Sequence, residues 1–343
     1  MEYKLKHTFS FNRFCKLKLR LKNRAVGASL MALVILLFSG CSIYDKEEDC
    51  DPVYKVKFIY DMTMSGGDAF SSQVNSVDLW VFEHESGEFV AKYSDAGSQL
   101  ESKSYYLELT DLKPGTYDFI VWGGLENSRS FSVPSEVASL SDLKCTLKTQ
   151  TQNGQPVSDQ LLSPLFYGSL IDQSLLDKPG EHVYTVNLMK DTNNINLSLQ
   201  HMSDETLDAS EFTIYMADTN GNLSYSNNTL AEEDVYYYPW SLKSGAIDMP
   251  GEELNYIRAE ISTSRLMADS SPVITIKANE TGNTVYSIPI VEWAKVLRSQ
   301  QNMSMTDQEY LDREHEYTIM LYLSADNEGW KAVSIVINGY EMK

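Results

Sequence analysis

The chain has 343 residues, a formal net charge of −20 at pH 7 and 43% hydrophobic residues. That length predicts about two domains, and the hydrophobic share argues against wholesale disorder, because disordered chains are poor in apolar residues. The acidity argues against nucleic acid as a partner, since phosphate binding needs clustered Lys and Arg.

The start of the chain has the pattern of an export signal. Residues 1–40 carry eight Lys and Arg and a single acid, Glu2; an uncharged run covers residues 25–38, and Ser39 and Gly40 follow it. A basic start, a short apolar run and small residues before a cleavage site define a signal peptide. The run is too short for a stable membrane span, so we predict that the signal is removed.

The residue after this signal is Cys41, and the string Leu37-Phe38-Ser39-Gly40-Cys41 resembles a bacterial lipobox. Phe38 stands where Leu is more usual, and an ordinary signal peptide followed by a chance Cys is the alternative. The resemblance implies cleavage before Cys41 and lipid on its sulfur and on the new amino terminus. Several buried acyl chains, at about 0.8 kcal/mol per CH₂, hold a soluble domain firmly on a membrane.

Removal of the signal changes the net charge from −20 to −27, because eight basic residues and one acid leave with it. Anionic lipid headgroups repel so acidic a body, so we expect it to stand off the membrane on a lipidated tether over residues 41–52. Within the tether, Lys46, Glu47 and Glu48 resemble the acidic tag that sends Bacteroidales-type lipoproteins to the outer face of the outer membrane. A plain solvated tether is the alternative.

Two further cysteines remain in the mature chain, Cys50 and Cys145. Outside the cytoplasm two thiols can pair. A disulfide between them would close a loop of about 95 residues and stabilise the fold by about 4 kcal/mol in chain-entropy terms. Two unpaired thiols are the alternative.

Most of the mature chain shows apolar residues alternating with polar ones, in runs bounded by Gly, Pro, Asn or Asp. This period of two is typical of half-buried antiparallel strands. Two sets of about six or seven strands predict an all-β fold, with sandwich domains over residues 53–190 and 191–343. The clearest runs are residues 54–60, 77–82, 117–121, 144–147, 184–188, 195–199, 212–216, 257–261, 273–276, 317–323 and 333–337.

Helical signals are sparse and lie between late strands. Apolar residues from Ile290 to Leu297 keep helical spacing. The string from Thr306 to Glu309 fits a capping box that opens a short helix. Both are predicted to be crossover segments.

No string in the sequence carries a complete catalytic or metal-binding motif. The histidines are scattered, and neither a Gly-rich phosphate loop nor a nucleophile elbow is present. The Ser-x-x-Lys string at Ser141 lacks companion motifs, and the calcium-loop-like string at Asp218 has Thr229 where a bidentate Glu is needed. The sequence predicts a protein that is not an enzyme and needs no metal or cofactor.

An aromatic string, Tyr236-Tyr237-Tyr238-Pro239-Trp240, is the candidate contact surface for a protein or a glycan. Tyrosine and tryptophan suit sugar or protein contacts, and Pro239 predicts an exposed loop or a sheet edge. The alternative is ordinary packing of Tyr236, Tyr237, Tyr238 and Trp240 in the core or along an edge of a sandwich.

Several short strings, in order along the mature chain, carry a family resemblance. They are Cys41-Ser42-Ile43-Tyr44-Asp45, Asp49-Cys50-Asp51-Pro52, Val77-Asp78-Leu79-Trp80-Val81-Phe82, Lys113-Pro114-Gly115-Thr116-Tyr117, Val121-Trp122-Gly123-Gly124, Leu165-Phe166-Tyr167-Gly168, Asp191-Thr192-Asn193-Asn194-Ile195, Ser264-Arg265-Leu266-Met267, Gln308-Glu309-Tyr310-Leu311-Asp312-Arg313 and Glu316-Tyr317-Thr318-Ile319. Together they resemble the FimB-like fimbrial anchor subunits, which are outer-membrane lipoproteins of Bacteroidales-type (type V) fimbriae.

The resemblance implies two tandem transthyretin-like Greek-key β-sandwich domains and a non-enzymatic role: to anchor the fimbrial shaft in the outer membrane and limit its length. It implies as partners the major shaft subunit, accessory subunits, and the outer membrane through lipid on Cys41, with the protein exposed at the cell surface. The alternative is an accessory or tip adhesin, or a surface glycan-binding lipoprotein, on the same fold.

The resemblance also implies docking by strand exchange, in which one subunit's extended segment completes another's sheet. The last predicted strand, with Val333, Ile335 and Ile337, is apolar on both faces and is a candidate docking strand; a strand of its own domain is the alternative. Shaft subunits resemble pro-proteins cut after an early Arg, whereas the first Arg after Cys41 is Arg129. This difference favours a subunit that keeps its lipid.

Overall fold

The structure is a computed structural model that describes residues 51–202, 206–230, 232–249, 252–326 and 329–342. They belong to one compact unit of the chain. The predicted signal peptide lies outside the described residues. The same holds for these predicted sites: Cys41, Lys46, Glu47, Glu48 and Cys50.

Strands dominate the described residues, which confirms the all-β prediction. The strands are β1 Pro52–Ile59, β2 Ser76–Glu83, β3 Phe89–Ala96, β4 Leu107–Leu109, β5 Gly115–Gly123, β6 Phe131–Ser132, β7 Lys144–Leu147, β8 Gln150–Gln152, β9 Gln155–Ser158, β10 Phe166–Leu175, β11 Gly180–Asn187, β12 Met189–Lys190, β13 Thr192–His201, β14 Phe212–Asp218, β15 Asn222–Ser224, β16 Val235–Tyr237, β17 Ser241–Met249, β18 Glu252–Ser264, β19 Val273–Ala278, β20 Thr284–Pro289, β21 Glu316–Asp326, β22 Gly329–Ile337 and β23 Tyr340–Met342. The α-helices are α1 Phe70–Gln73, α2 Ile290–Gln301 and α3 Asp307–Arg313, and short 3-10 helices cover Ser98–Glu101, Leu140–Asp142 and Ala209–Glu211.

Two sheets form what we call the first sandwich: one in the order β11-β1-β4 and one in the order β12-β10-β5-β2-β3. β1 pairs in parallel with β11 along its whole length and antiparallel with β4. The alternation of β1 places Val56 and Phe58 in a core with Leu79, Val81 and Phe119 from the facing sheet. Burial of these side chains holds the two sheets together.

Two six-stranded sheets form the second sandwich, in the orders β17-β18-β13-β21-β22-β23 and β20-β19-β14-β16-β9-β8. The alternating residues of β13 and β14 point into the space between the sheets. Ile195, Leu197, Ile214 and Met216 are buried there beside Ile257 of β18. The period of two in these strands therefore marks the side that faces the core.

The segment between β5 and β10 crosses the boundary expected at residue 190. β9 pairs in parallel with β16, so that Val157 lies opposite Tyr236, and β7 pairs with β15. Strands that precede residue 190 in sequence thus complete sheets built from residues that follow it. The division into domains at residue 190 stays a prediction.

The larger sheet of the first sandwich is buried on both faces. Trp80 and Trp122 point away from the first core and share a second one with Leu143, Cys145 and Leu147. The expectation that every strand is half-buried is therefore wrong for β5, where burial is continuous from the third residue onward. Covering the second face turns an alternating strand into a fully buried one.

The two helical predictions are confirmed. α2 begins at Ile290 and buries the apolar positions whose spacing predicted it. Thr306 caps α3, because its hydroxyl oxygen accepts the backbone N–H of Glu309 at 3.1 Å. Both helices lie between β20 and β21.

α3 also joins the two sandwiches. The Nη1 of Arg313 donates to the carbonyl oxygens of Asp61, at 3.4 Å, and Thr63, at 3.2 Å, in the loop after β1. β1 begins at Pro52, and its eight residues span about 26 Å. The described chain therefore begins at the end of the first sandwich that lies opposite the second sandwich.

Candidate functional site

The predicted aromatic string is divided between the core and the surface. Val235 and Tyr237 of β16 face the core, and Tyr236 between them faces outward. The hydroxyl of Tyr237 donates to Oδ1 of Asn220 at 2.6 Å, and burial raises the pKa of Tyr237 well above its usual value. Tyr237 therefore cannot touch a partner, and core packing is its role.

Tyr236 and Tyr238 instead form a surface group with Tyr215 of β14, which we call the tyrosine platform. The ring centroid of Tyr215 lies 5.8 Å from that of Tyr236 and 5.8 Å from that of Tyr238. The Nζ of Lys277 lies 5.5 Å from the centre of the Tyr215 ring, within cation–π range. Together they place three aromatic rings and one cation on the outer face of a sheet.

Sequence reasoning missed Tyr215 and Lys277, although the alternation contained a signal. Phe212, Ile214 and Met216 are the inward residues of β14, so Tyr215 has to face outward. The sequence of one strand does not show which strands lie beside it. In the structure β14 pairs with β16 on one side and with β19 on the other, and these strands supply Tyr236 and Lys277.

Trp240 lies apart from the platform, just before β17. Its backbone N–H donates to the carbonyl oxygen of Glu260 at 2.9 Å, and 40% of its surface is exposed. It lines a small cavity of about 120 Å³ with Leu161 and Glu316. The string thus contributes to three separate places on the second sandwich.

The candidate docking strand is β22, and it lies inside its own sheet. β21 pairs with it on one side, and β23 pairs with residues 335–337 on the other. Ile335 and Ile337 are buried in the core, whereas Val333 is the extra residue of a β-bulge and is 53% exposed. β22 has the place expected of a strand of its own domain.

Cys145 is a buried residue of β7 that forms no disulfide with another described residue. Burial raises the pKa of this thiol well above its usual value, with the charge of Asp191 adding to the effect. Its suggested partner Cys50 lies outside the described residues, so their pairing stays a prediction.

Residues from three of the sequence strings that carry the family resemblance form a buried polar cluster. Arg265, directly after β18, donates from Nε to Oδ1 of Asp312 at 2.9 Å and from Nη2 to Oδ2 at 2.8 Å. Its Nη1 donates to the carbonyl oxygen of Asn227, whose side-chain amide donates to Oδ1 of Asp191 at 2.9 Å. Bidentate guanidinium–carboxylate pairs of this kind are strong and directional.

Asp191 accepts fewer hydrogen bonds than Asp312, the other carboxylate of this cluster. Its Oδ1 lies 3.8 Å from the Arg265 Nε, and its Oδ2 has no hydrogen-bond partner among the described residues. Burial raises the pKa of Asp191 to about 7, although Arg265 and Asn227 pull it down. Burial opposes the charge of Arg265 as well, but its hydrogen bonds to Asp312 and the nearby carboxylates leave its pKa above the usual value. The cluster joins the ends of β12, β18 and α3 by electrostatic contacts between buried groups.

The described residues hold no group of three or more His, Cys, Asp or Glu that could bind a metal ion. Within the same residues, no helix is both long enough and apolar enough to span a bilayer.

Comparison with known proteins places these features in a family. Residues 47–343 match the family model described as fimbrillin-A associated anchor proteins Mfa1 and Mfa2. No curated protein sequence matches the chain.

Three solved structures show the same architecture. A candidate adhesin from Bacteroides thetaiotaomicron is 33% identical, with a TM-score of 0.74, over 85% of this chain and 98% of that one. A candidate polysaccharide-binding protein from the same organism is 28% identical, with a TM-score of 0.72, over 86% and 98%. The fimbrial anchor protein Mfa2 from Porphyromonas gingivalis shares the fold at 16% identity and a TM-score of 0.65, over 85% and 99%. The chain therefore belongs to the family of fimbrillin-A associated anchor proteins Mfa1 and Mfa2.

Proposed function

We propose that this protein tethers a fimbrial shaft to the outer membrane through lipid on Cys41, faces the cell surface and limits the length of the shaft. It performs no catalysis in this role. A subunit that stays fixed in the membrane ends the row of shaft subunits, because nothing can be added beyond it. Its family, the anchor proteins matched over residues 47–343, supports this role.

One geometric observation carries the proposal beyond family membership. The described chain begins at Asp51, at the end of the first sandwich opposite the second, and Cys41 precedes it by ten residues. Ten residues reach at most about 35 Å. A lipid on Cys41 would therefore hold the first sandwich near the membrane and present the second sandwich outward, toward a shaft.

The proposed contact with the shaft is a strand added to the edge of a sheet. Backbone hydrogen bonds between an edge strand and an extended segment provide affinity, and alternate side chains provide specificity. Lys46, Glu47 and Glu48 would direct the lipoprotein to the outer face before it meets the shaft. The major shaft subunit is the main partner, and accessory subunits are secondary ones.

Substitution of the lipidated residue tests the tether. Cys41→Ala should move the protein from the membrane fraction to the medium and release fimbriae with it. Cys50→Ala is the matched control, since it removes a nearby cysteine outside the lipobox and should leave both in place. Membrane association that persists in Cys41→Ala would overturn the lipid anchor.

The tyrosine platform favours a second candidate function, glycan binding by a surface adhesin. Flat aromatic faces stack on the apolar faces of sugars, and three such rings lie together around Tyr215. The 28% identical structure is described as a candidate polysaccharide-binding protein. Loss of glycan-array binding in a Tyr236→Ala/Tyr238→Ala variant, with binding kept in the exposed control Tyr106→Ala, would support this function. Equal binding by all three proteins would argue against it.

A further inference from the structure

β17 is the end strand of its sheet, and its outer row of backbone groups faces no other strand in the part of the chain that the structure describes. It pairs with β18 over nine residues, from Ser241 opposite Glu260 to Met249 opposite Glu252, without a register shift. No other described strand pairs with its outer side. Amide and carbonyl groups at strand spacing are recognised by another extended backbone.

Both faces of β17 carry an exposed apolar side chain, although the hydroxyl of Ser244 accepts the backbone N–H of Ala209 at 2.9 Å. Leu242 is 37% exposed on the side that faces the core, and Ile247 is 50% exposed on the opposite side. Tyr256 lies so close over Gly245 that a Cβ at residue 245 would come within 2.7 Å of the tyrosine ring. An incoming strand would therefore find apolar surface on both of its faces.

One charge on β17 lacks a partner of opposite sign. Lys243 lies directly opposite Arg258, and residues paired in this way project from the same face. Arg258 forms an ion pair with Glu260 at 2.7 Å, whereas Lys243 has no ion-pair or hydrogen-bond partner among the described residues. Like charges across a strand pair are destabilising, so an acidic residue on an incoming strand would relieve the repulsion.

The edge of β22, at the other side of the same sheet, is protected. It carries the bulge at Val333 and the cation Lys331, and β23 covers residues 335–337. Bulges, edge lysines and short covering strands are the features that prevent pairing with another chain. β17 has no bulge, and it is also the longer free edge.

The position of β17 separates it from two other long end strands, β3 and β11, which both belong to the first sandwich. β3 pairs with β2 alone and has a β-bulge at Val90. β11 is also paired on one side only, but it belongs to the first sandwich, where Gly180 pairs with Pro52 beside the predicted tether. β17 belongs to the second sandwich. Its first residue, Ser241, pairs with Glu260, four residues before β18 ends at Ser264. That end of β18 lies beside the Arg265 cluster, so β17 runs away from the first sandwich.

We propose that the outer edge of β17 is the docking site for an extended segment of the shaft subunit, with an acidic residue of that segment facing Lys243 and apolar residues beside Leu242 and Ile247. This inference rests on the proposed anchor function and names the surface that performs it.

The experiment compares variants of the full chain in a strain that lacks the native protein, with the cell-attached fraction of fimbriae as readout. Ile247→Glu should lower that fraction at least tenfold. Val333→Glu is the matched control, because Val333 is an apolar residue of similar exposure on β22, near the opposite edge of the same sheet. This variant should leave attachment unchanged.

A second variant separates docking from folding. Lys243→Glu removes the repulsion with Arg258, so the variant should unfold at the same or a higher temperature and yet attach at least tenfold fewer fimbriae. Membrane levels of each variant are measured alongside, so that loss of the protein is not read as loss of docking.

The outcomes distinguish this inference from the anchor function. If the strain without the protein keeps its fimbriae attached, the anchor function itself fails. If that strain sheds fimbriae but Ile247→Glu and Lys243→Glu both restore attachment as the native chain does, the anchor function stands and the β17 site is wrong. Shedding by Val333→Glu alone would place the docking site at β22 instead.

Discussion

Arg265 and Asp312, 47 residues apart in sequence, form a buried bidentate pair with hydrogen bonds of 2.9 and 2.8 Å. The pair stands next to Asp191, at the point where the chain leaves the first sandwich and enters β13. Arg265 and Asp312 lie in two of the short strings that resemble the anchor family, and Asp191 lies in a third. The resemblance thus includes the residues that connect the two halves of the molecule.

Replacing Arg265 by alanine should lower the free energy of unfolding by about 3 to 5 kcal/mol, because Asp312 would stay buried without its counter-charge. Urea denaturation followed by tryptophan fluorescence measures the change. Arg258→Ala is the control, since Arg258 is exposed and its ion pair should contribute less than about 1 kcal/mol. Equal effects of the two substitutions would contradict the role given to the cluster.

The raised pKa of Asp191 predicts a specific dependence of stability on pH. The folded protein holds a proton on Asp191 up to about pH 7, whereas the unfolded chain loses it near pH 3.8. Between these values the folded state binds more protons, so the stability contributed by Asp191 falls as pH rises, by at most about 1.4 kcal/mol per pH unit.

Comparison with Asp191→Asn isolates this effect, because the amide oxygen can still accept from Asn227. His315, whose pKa burial lowers to about 4, acts in the opposite direction, but it is present in both proteins and cancels. The native protein should lose stability relative to Asp191→Asn as pH rises from 4 to 7. Parallel curves over that range would show that Asp191 is ionised in the fold.

Gly124 should be intolerant of any side chain. Its φ is +84°, and a Cβ there would collide with the carbonyl oxygen of Pro164. Gly124→Ala should therefore destabilise the fold by about 3 kcal/mol or more. Gly66 also has a positive φ, but nothing lies near its Cβ position, so Gly66→Ala should cost only about 1 to 2 kcal/mol. Thermal unfolding of the two variants measures the difference.

The thiol of Cys145 should resist labelling in the folded protein, because only 1% of its surface is exposed and burial disfavours its thiolate. In denaturant without reductant it should react fully with maleimide, as a free thiol does. Mass spectrometry of the labelled peptide measures this. A peptide that stays unlabelled until reductant is added would show that Cys145 is paired, with Cys50 as the suggested partner.

Much of the fold could be predicted from local pattern, because each strand records which of its sides faces a core. The alternation in β1, β13 and β14 identified their buried sides correctly. The helical spacing after Ile290 and the cap at Thr306 worked for the same reason, since both depend only on residues within one or two turns.

The parts that sequence reasoning missed depend on partners far away in the chain. Nothing within β9 shows that it joins β16, or within β5 that a second core covers its other face. The tyrosine platform needed the register between β14 and β16, which brings Tyr215 next to Tyr236. The unpaired edge of β17 likewise exists only once the order of all strands in its sheet is known.

The anchor role is tested most directly by electron microscopy of fimbriae on cells and in the medium. The comparison is between a strain lacking this protein and the same strain carrying the full chain. We expect loss of the protein to release fimbriae into the medium, many of them longer than normal, and the full chain to return them to the cell surface at normal length. Fimbriae that remain attached at normal length without the protein would contradict the anchor role.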